Sequence, residues 1–158
     1  MPESRTLIAG DALMAYGIRN RDGLLLYPPQ FNSPVIYKQT IQRVRALRVE
    51  TLLCAHEPVL RGAAVEAFLQ DSLVAVNLLE VGVGSALEQG AKTLDQICVA
   101  VHKSNGGLPE DRPRDLAPSV AGILMHMHSA SALVIDVDSC PRRFGLASPS
   151  GLEAHANS

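Results

Sequence analysis

Two short apolar runs, each followed by a residue that can bind a metal ion, constrain this chain more than any other feature. Residues 6–9 read Thr-Leu-Ile-Ala and lead through a glycine to Asp11, and residues 52–55 read Leu-Leu-Cys-Ala and lead directly to His56. Short apolar runs bounded by turn residues are typical of buried β-strands. The second strand is predicted over residues 49–55, because Pro58 cannot continue a central strand.

A helix is predicted between the two strands. Ser33 is a typical N-cap and Pro34 suits the first helical position, so the helix is predicted from there to about Leu47. Its buried face is predicted from residues spaced by four, four and three: Ile36, Thr40, Val44 and Leu47. Strand, helix and strand at this distance predict a βαβ-like unit. Its strand ends should bring Asp11 and His56 together at one sheet edge, well within 10 Å.

The rest of the chain is predicted to be mainly helical and to end in a hairpin. A long loop over roughly residues 10–32 is a candidate functional segment. Helices are predicted over about residues 62–89, with Gly82 and Gly84 bending or dividing it, and over residues 94–102 and 117–130. Two apolar runs, residues 133–137 and 144–147, flank a turn and predict a β-hairpin. Short helix, helix and hairpin is the order of a winged helix.

Composition indicates which partners are not expected. The net charge is -2, and the candidate recognition helix, residues 117–130, contains no Lys or Arg, so no nucleic-acid partner is predicted. The cysteines Cys54, Cys98 and Cys140 are far apart and form neither a disulfide framework nor a CxxC site. A reducing, cytoplasmic compartment fits them best. We see no signal peptide and no run approaching a membrane span, so no membrane partner is expected.

The two strand-end motifs resemble those of the metallo-β-lactamase superfamily. Residues 7–13, an apolar strand followed by Gly-Asp and an apolar residue, are similar to the strand that carries that family's metal-bridging aspartate. Residues 52–58, with Gly62 soon after, resemble its last metal-binding motif, although Ala55 replaces the usual glycine. The resemblance is close over residues 6–62, and residues 62–147 are similar to the helical, winged-helix-like extension of related hydrolases, including glyoxalase II relatives.

The resemblance implies a fold, a cofactor and a reaction. It implies an α/β (α+β) chain forming the C-terminal half of an αββα sandwich, with Asp11 bridging two divalent metal ions and His56 binding the second. In the complete family the metal is expected to be Zn²⁺ or another divalent ion, since carboxylate and imidazole suit several, and its binding is expected to be weak or absent in this chain alone. A metal-bound hydroxide would attack a small-molecule ester, thioester or similar substrate. No further catalytic or cofactor-binding residue is assigned.

The sequence lacks some of the metal-binding residues that are typical of the family. The family's His-x-His-x-Asp-His motif is missing, as is the second histidine that precedes the aspartate strand. The other histidines are not expected to replace them: His102, His126, His128 and His155. The chain is therefore expected to be a truncated portion with an incomplete site. Residues 1–62 are predicted as a half lobe, 63–147 as the extension and 148–158 as a disordered tail.

Three functions remain open at this stage. The first is a metallo-hydrolase portion that is inactive alone, and the second is a non-catalytic scaffold or interaction protein built on the half-fold. The third is a winged-helix nucleic-acid binder, which the weak basicity disfavours. Half of a sandwich leaves an apolar sheet face uncovered, so the chain is expected to form a homo-oligomer or to bind a complementing N-terminal half.

Overall fold

The computed structural model describes residues 5–22, 25–105 and 112–147, which form a mixed α and β structure. In chain order the elements are β1 (Thr6–Gly10), β2 (Ile18–Arg19), β3 (Leu25–Tyr27), α1 (Pro34–Ala46), β4 (Thr51–Cys54), β5 (Leu60–Arg61), α2 (Ala63–Glu88), β6 (Lys92–Thr93), α3 (Leu94–Asn105), a 3₁₀ helix (Pro113–Leu116), α4 (Ala117–Ser129), β7 (Leu133–Asp136) and β8 (Arg143–Leu146). The tail predicted to be disordered, residues 148–158, lies outside the described residues.

The predicted strand–helix–strand unit forms the first sheet. β1 and β4 pair in parallel, with Leu7 opposite Leu52, and β5 pairs antiparallel with the other side of β4. The connecting helix α1 begins where the sequence predicts, because the Ser33 hydroxyl accepts a hydrogen bond from the Ile36 N–H at 3.3 Å. The parallel pairing places the carboxyl ends of β1 and β4 at the same edge of the sheet.

The buried face of α1 differs from the predicted one. Ile36 is 64% exposed and Leu47 is 61% exposed, and Thr40 is half-buried. The buried residues of α1 are Pro34, Tyr37, Ile41 and Val44. The predicted and the observed faces both include Val44. The observed face also buries the Tyr37 ring and Ile41, whereas the predicted face includes the polar Thr40. The observed rotation therefore removes more apolar surface from water.

The central helix α2 packs against α1, α3 and α4. It runs from Ala63 to Glu88 without interruption, so Gly82 and Gly84 do not divide it. By length and composition α2 could cross a membrane, which corrects the expectation that no run approaches a span. In this fold α2 is a core helix, with eleven of its side chains or backbone positions buried. Its contacts with three other helices bury part of its apolar surface, whereas Leu78 and Val81 are exposed.

The carboxyl-terminal part has the predicted order of helix, helix and hairpin. At the start of α3, the Thr93 hydroxyl accepts from the Gln96 N–H at 3.3 Å, and the Gln96 side chain accepts from the Thr93 N–H at 3.0 Å. This is a capping box, which satisfies two backbone donors. β7 and β8 pair antiparallel, and the short strand β6, which the sequence did not predict, pairs with β8. The winged-helix assignment stays a prediction.

One hydrophobic cluster joins the elements on both sides of residue 62. Its members are buried side chains from the first loop, the first sheet, the four helices and β7, and they include Leu13, Ile41, Leu52, Leu69, Val76, Ile97, Val120, Leu124 and Leu133. The two predicted domains, residues 1–62 and 63–147, therefore share one hydrophobic core. Their division into a half lobe and an extension stays a prediction. The shared core holds β1, β4 and the first loop in fixed relation to α2.

Candidate metal-binding site

The structure brings Asp11 and His56 into contact. Asp11 directly follows β1 and His56 lies two residues beyond β4, so both side chains stand at the edge where these parallel strands end. The His56 Nε2 atom lies 3.1 Å from Asp11 Oδ1. This confirms the predicted convergence of the two side chains. Their role as metal ligands stays a prediction.

The backbone around the two residues is held by hydrogen bonds between the strand ends. Gly10 has a φ of +55°, a left-handed conformation that glycine adopts without a steric penalty, and it turns the chain out of β1 at Asp11. The Ala55 N–H donates to the Gly10 carbonyl at 3.0 Å, and the Ala12 N–H donates to the Ala9 carbonyl at 3.0 Å. These bonds fix the distance between the backbones that carry Asp11 and His56.

Acidic and thiol groups surround this pair. Glu57 follows His56 in sequence, and Cys54 ends β4. Burial, together with the negative charges of Glu57 and Asp11, raises the pKa of Cys54 to about 11. The thiol is therefore protonated at neutral pH. The charged groups available at the site are carboxylates and an imidazole.

An open cavity of about 510 Å³ lies beside His56. The first loop, the residues after β4 and the first turns of α2 form its wall: Ala15, Tyr16, Gly17, Arg19, His56, Glu57, Pro58, Leu60, Ala64, Ala67, Phe68 and Asp71. The long loop that the sequence indicated as functional therefore does line a cavity next to the candidate ligands. Within that loop β2 and β3 form a short antiparallel pair, which the sequence did not predict.

Two buried hydroxyl groups anchor the cavity loop to the helices. The Met14 N–H donates to the Tyr37 hydroxyl at 3.1 Å, and the Ala15 N–H donates to the Ser72 hydroxyl at 3.2 Å. Burial raises the pKa of Tyr37, so its phenol keeps its proton. Sequence reasoning missed Tyr37 and Ser72. The available signal for Ser72 was its helical spacing, four residues after Phe68 and four before Val76, on the buried face of α2.

The described residues offer two metal donors at this site and not a full set. Within residues 5–22, 25–105 and 112–147, no group of three or more His, Cys, Asp or Glu is placed to hold a metal ion. His128 lies elsewhere, with its Nδ1 atom 3.1 Å from the Leu133 carbonyl oxygen, and His126 borders a different groove. The described residues therefore bring two potential donors together at this edge, Asp11 and His56, and no third one.

Comparison with solved structures identifies the fold. A metallo-β-lactamase family protein from Thermus thermophilus matches with a TM-score of 0.61 and 17% identity over 92% of this chain and 43% of its own. A β-lactamase domain protein from Burkholderia ambifaria matches with a TM-score of 0.60 and 18% identity over 90% of this chain and 41% of its own. A scan of protein families and a search of curated proteins give no match.

These likenesses define the fold and not the activity, because the sequence identities are low. The chain spans about two fifths of the length of the two solved structures. The α+β class and the resemblance drawn from the two strand-end motifs are confirmed at the level of fold. The chain described here has part of the metallo-β-lactamase fold.

Proposed function

We propose that Asp11 and His56 are two ligands of a divalent metal ion, and that this chain forms part of a metal-dependent hydrolase of the metallo-β-lactamase fold. The observation that carries the proposal is the 3.1 Å distance between His56 Nε2 and Asp11 Oδ1, at the ends of two parallel strands and beside a cavity. Ligands in open α/β sheets bind outside the carboxyl ends of the strands.

The donor types and their separation suit zinc. Two donors bound to one tetrahedral zinc ion at ~2.0–2.1 Å stand about 3.3 Å apart, close to the observed separation. In the absence of metal, a protonated His56 would form an ion pair with Asp11 over the same distance. Metal binding requires the neutral imidazole.

The cavity supports a small substrate. When bound, the metal ion would supply a Lewis acid and a source of hydroxide. Phe68 and Ala67 form part of an apolar wall, and Arg19, Glu57 and Asp71 add charged groups. A small ester or thioester would place its apolar part against Phe68. The proposed cytoplasmic location and the absence of nucleic-acid and membrane partners stay predictions.

Zinc binding by the full chain tests the proposal. We expect isothermal titration to detect weak zinc binding, and we expect either Asp11→Asn or His56→Gln to weaken it by more than about 10-fold, since even indirect partners of a metal contribute 10- to 100-fold. Matched controls are Asp138→Asn in the exposed β7–β8 turn and His126→Gln on α4, which should leave the affinity unchanged. Affinity that is unaffected at Asp11 and His56 would contradict the proposal.

The second candidate function is a non-catalytic scaffold. It is favoured by the finding that the described residues hold no cluster of three or more potential ligands. The same titration separates the two functions. A folded parent chain that binds no zinc would support the scaffold, whereas binding that depends on both Asp11 and His56 would support the metal site.

A further inference from the structure

We propose that Asp71 selects substrates that carry a cationic group, such as an ammonium, at the α2 side of the cavity beside His56. Asp71 and His56 both line this cavity of about 510 Å³. The inference rests on the proposed function, because it takes the cavity to be the substrate site, and it adds the charge class of the substrate. The residues that carry it belong to α2 and to the loops beside it.

One face of α2 forms a wall of the cavity. The helix residues in this wall are Ala64, Ala67, Phe68 and Asp71. They are spaced by three, one and three, so they lie on one side of the helix. The first three are apolar, and Asp71 adds a carboxylate where the wall ends. With a rise of ~1.5 Å per residue, the wall extends about 10 Å along the helix.

The two ends of this wall have different neighbours. The segment from His56 to Leu60 leads into the start of α2, and both residues line the cavity. Asp71 lies about two turns further along the helix, where the Ala15 N–H donates to the hydroxyl of the adjacent Ser72 at 3.2 Å. A substrate with its reacting group near His56 would direct its other end along α2 towards Asp71.

The Asp71 carboxylate has no counter-charge among the residues that the structure describes. It is half-buried, and it takes part there in no ion pair or side-chain hydrogen bond. Arg19 also lines the cavity, but it is exposed and is not the partner of Asp71. A half-buried carboxylate gives up part of its hydration, and a cation beside it offsets this loss. An ammonium group that enters the cavity would supply that cation.

The other charged groups in the wall also disfavour an anionic substrate. Two carboxylates, Glu57 and Asp71, line the cavity with one guanidinium, Arg19. Glu57 directly follows His56, so a metal ion bound there would offset its charge. Asp71 lies on a different element and is the carboxylate available to a substrate cation. Its neighbour Phe68 is three residues earlier, with ~5–6 Å between Cβ atoms at that spacing, so a short alkylammonium can contact both.

Three probes with the same alkyl chain test the charge preference: hexylammonium, 1-hexanol and hexanoate. They share the part that would contact Phe68 and differ in the charge of the polar end. An NMR titration of the full chain with a chelator present measures binding without metal. We expect hexylammonium to bind about 3- to 5-fold more tightly than hexanol, the size of a partly exposed ion pair, and hexanoate to bind most weakly. The backbone amide signals of Ala67 and Asp71 should shift.

Variants at Asp71 test whether its charge sets the preference. Asp71→Asn keeps the shape of the side chain and should remove the difference between hexylammonium and hexanol. Asp71→Lys should reverse the order in favour of hexanoate, a change that a purely structural role would not produce. The matched control is Glu88→Gln, which removes a carboxylate from an exposed position at the end of the same helix, and it should retain the preference.

The outcomes that would overturn the inference are equal binding of the three probes, tightest binding of hexanoate, or no binding of any probe. A preference for hexylammonium that Asp71→Asn retains, or that Glu88→Gln abolishes, would overturn it as well. The zinc titration is a separate measurement. A parent chain that binds zinc but shows no preference contradicts this inference alone. A chain that shows the preference but binds no zinc contradicts the proposed metal site and supports charge selection by Asp71.

Discussion

Ser72 is a fully buried hydroxyl group on the apolar face of α2. It accepts a hydrogen bond from the Ala15 N–H at 3.2 Å and donates one to the Phe68 carbonyl at 2.9 Å. Ala15 and Phe68 both line the cavity beside His56. One side chain thus joins the cavity loop to the cavity wall, and its loss would leave a buried backbone donor without a partner.

We predict that Ser72→Ala lowers the free energy of unfolding by about 1–3 kcal/mol, the cost of an unpaired buried donor. The measurement is urea denaturation. Ser129→Ala is the matched control, because Ser129 makes the same hydroxyl-to-carbonyl bond to Met125 at 2.9 Å but is exposed. The control should change stability by less than about 0.5 kcal/mol. Equal effects of the two substitutions would show that the Ala15 bond contributes nothing.

Single residues differed in how far the sequence could predict their positions. The approach of Asp11 to His56 followed from local patterns, since each residue ends an apolar run and parallel strands align their ends. The partners of Tyr37 and Ser72 could not be predicted in this way. Their hydrogen bonds span 23 and 57 residues of sequence, and they depend on how the helices pack. A metal ligand role for Asp11 and His56 comes from family resemblance and needs measurement.

Among the elements, α4 packs closely against the segment that leads into α1. A Cβ atom added at Gly122 would lie 2.6 Å from the Asn32 carbonyl oxygen. Nearby, the Ser119 hydroxyl accepts from the Phe31 N–H at 3.1 Å and donates to the Pro29 carbonyl at 2.7 Å. Gly122 and Ser119 therefore allow backbone-to-backbone contact between α4 and this segment. That contact fixes the end of the long first loop.

We predict that Gly122→Ala lowers the free energy of unfolding by about 1–3 kcal/mol, because a backbone carbonyl would have to move. Gly84→Ala in α2 is the control, since a Cβ there meets no atom within 4 Å. Alanine should stabilise that helix by about 0.5–1 kcal/mol relative to glycine. Thermal unfolding of both variants measures the difference. A destabilising effect at Gly84, or none at Gly122, would contradict the packing described.

The elements themselves were largely predictable, and their orientations were not. Helix starts with local caps, such as Ser33 for α1 and Thr93 for α3, are encoded within a few residues. The prediction of the buried face of α1 was wrong. Two overlapping rows of residues on the helix share Val44, and only packing against the rest of the fold selects which row is buried. β2 and β6, of two residues each, are too short to show a strand periodicity.

For the molecule as a whole, the described residues form a continuous hydrophobic core but only part of a metal site. The hydrophobic cluster is continuous from Leu13 to Leu133, so the described residues have a core of their own. The candidate site brings Asp11 and His56 together, and the described residues hold no group of three or more potential metal ligands. The described residues therefore supply the hydrophobic core that folding needs, but they do not supply a complete metal site.

Our last prediction is that the full chain with zinc is an inefficient hydrolase. Removing one indirect partner of a metal costs about 10- to 100-fold in affinity or activity, so a site with two donors should lose far more. We expect kcat/KM for a thioester or β-lactam well below the ~10⁴–10⁸ M⁻¹s⁻¹ of ordinary enzymes. Any residual zinc-dependent rate should fall with Asp11→Asn, whereas Asp138→Asn should not change it. Hydrolysis at ordinary rates would contradict this prediction, because it would require ligands beyond Asp11 and His56.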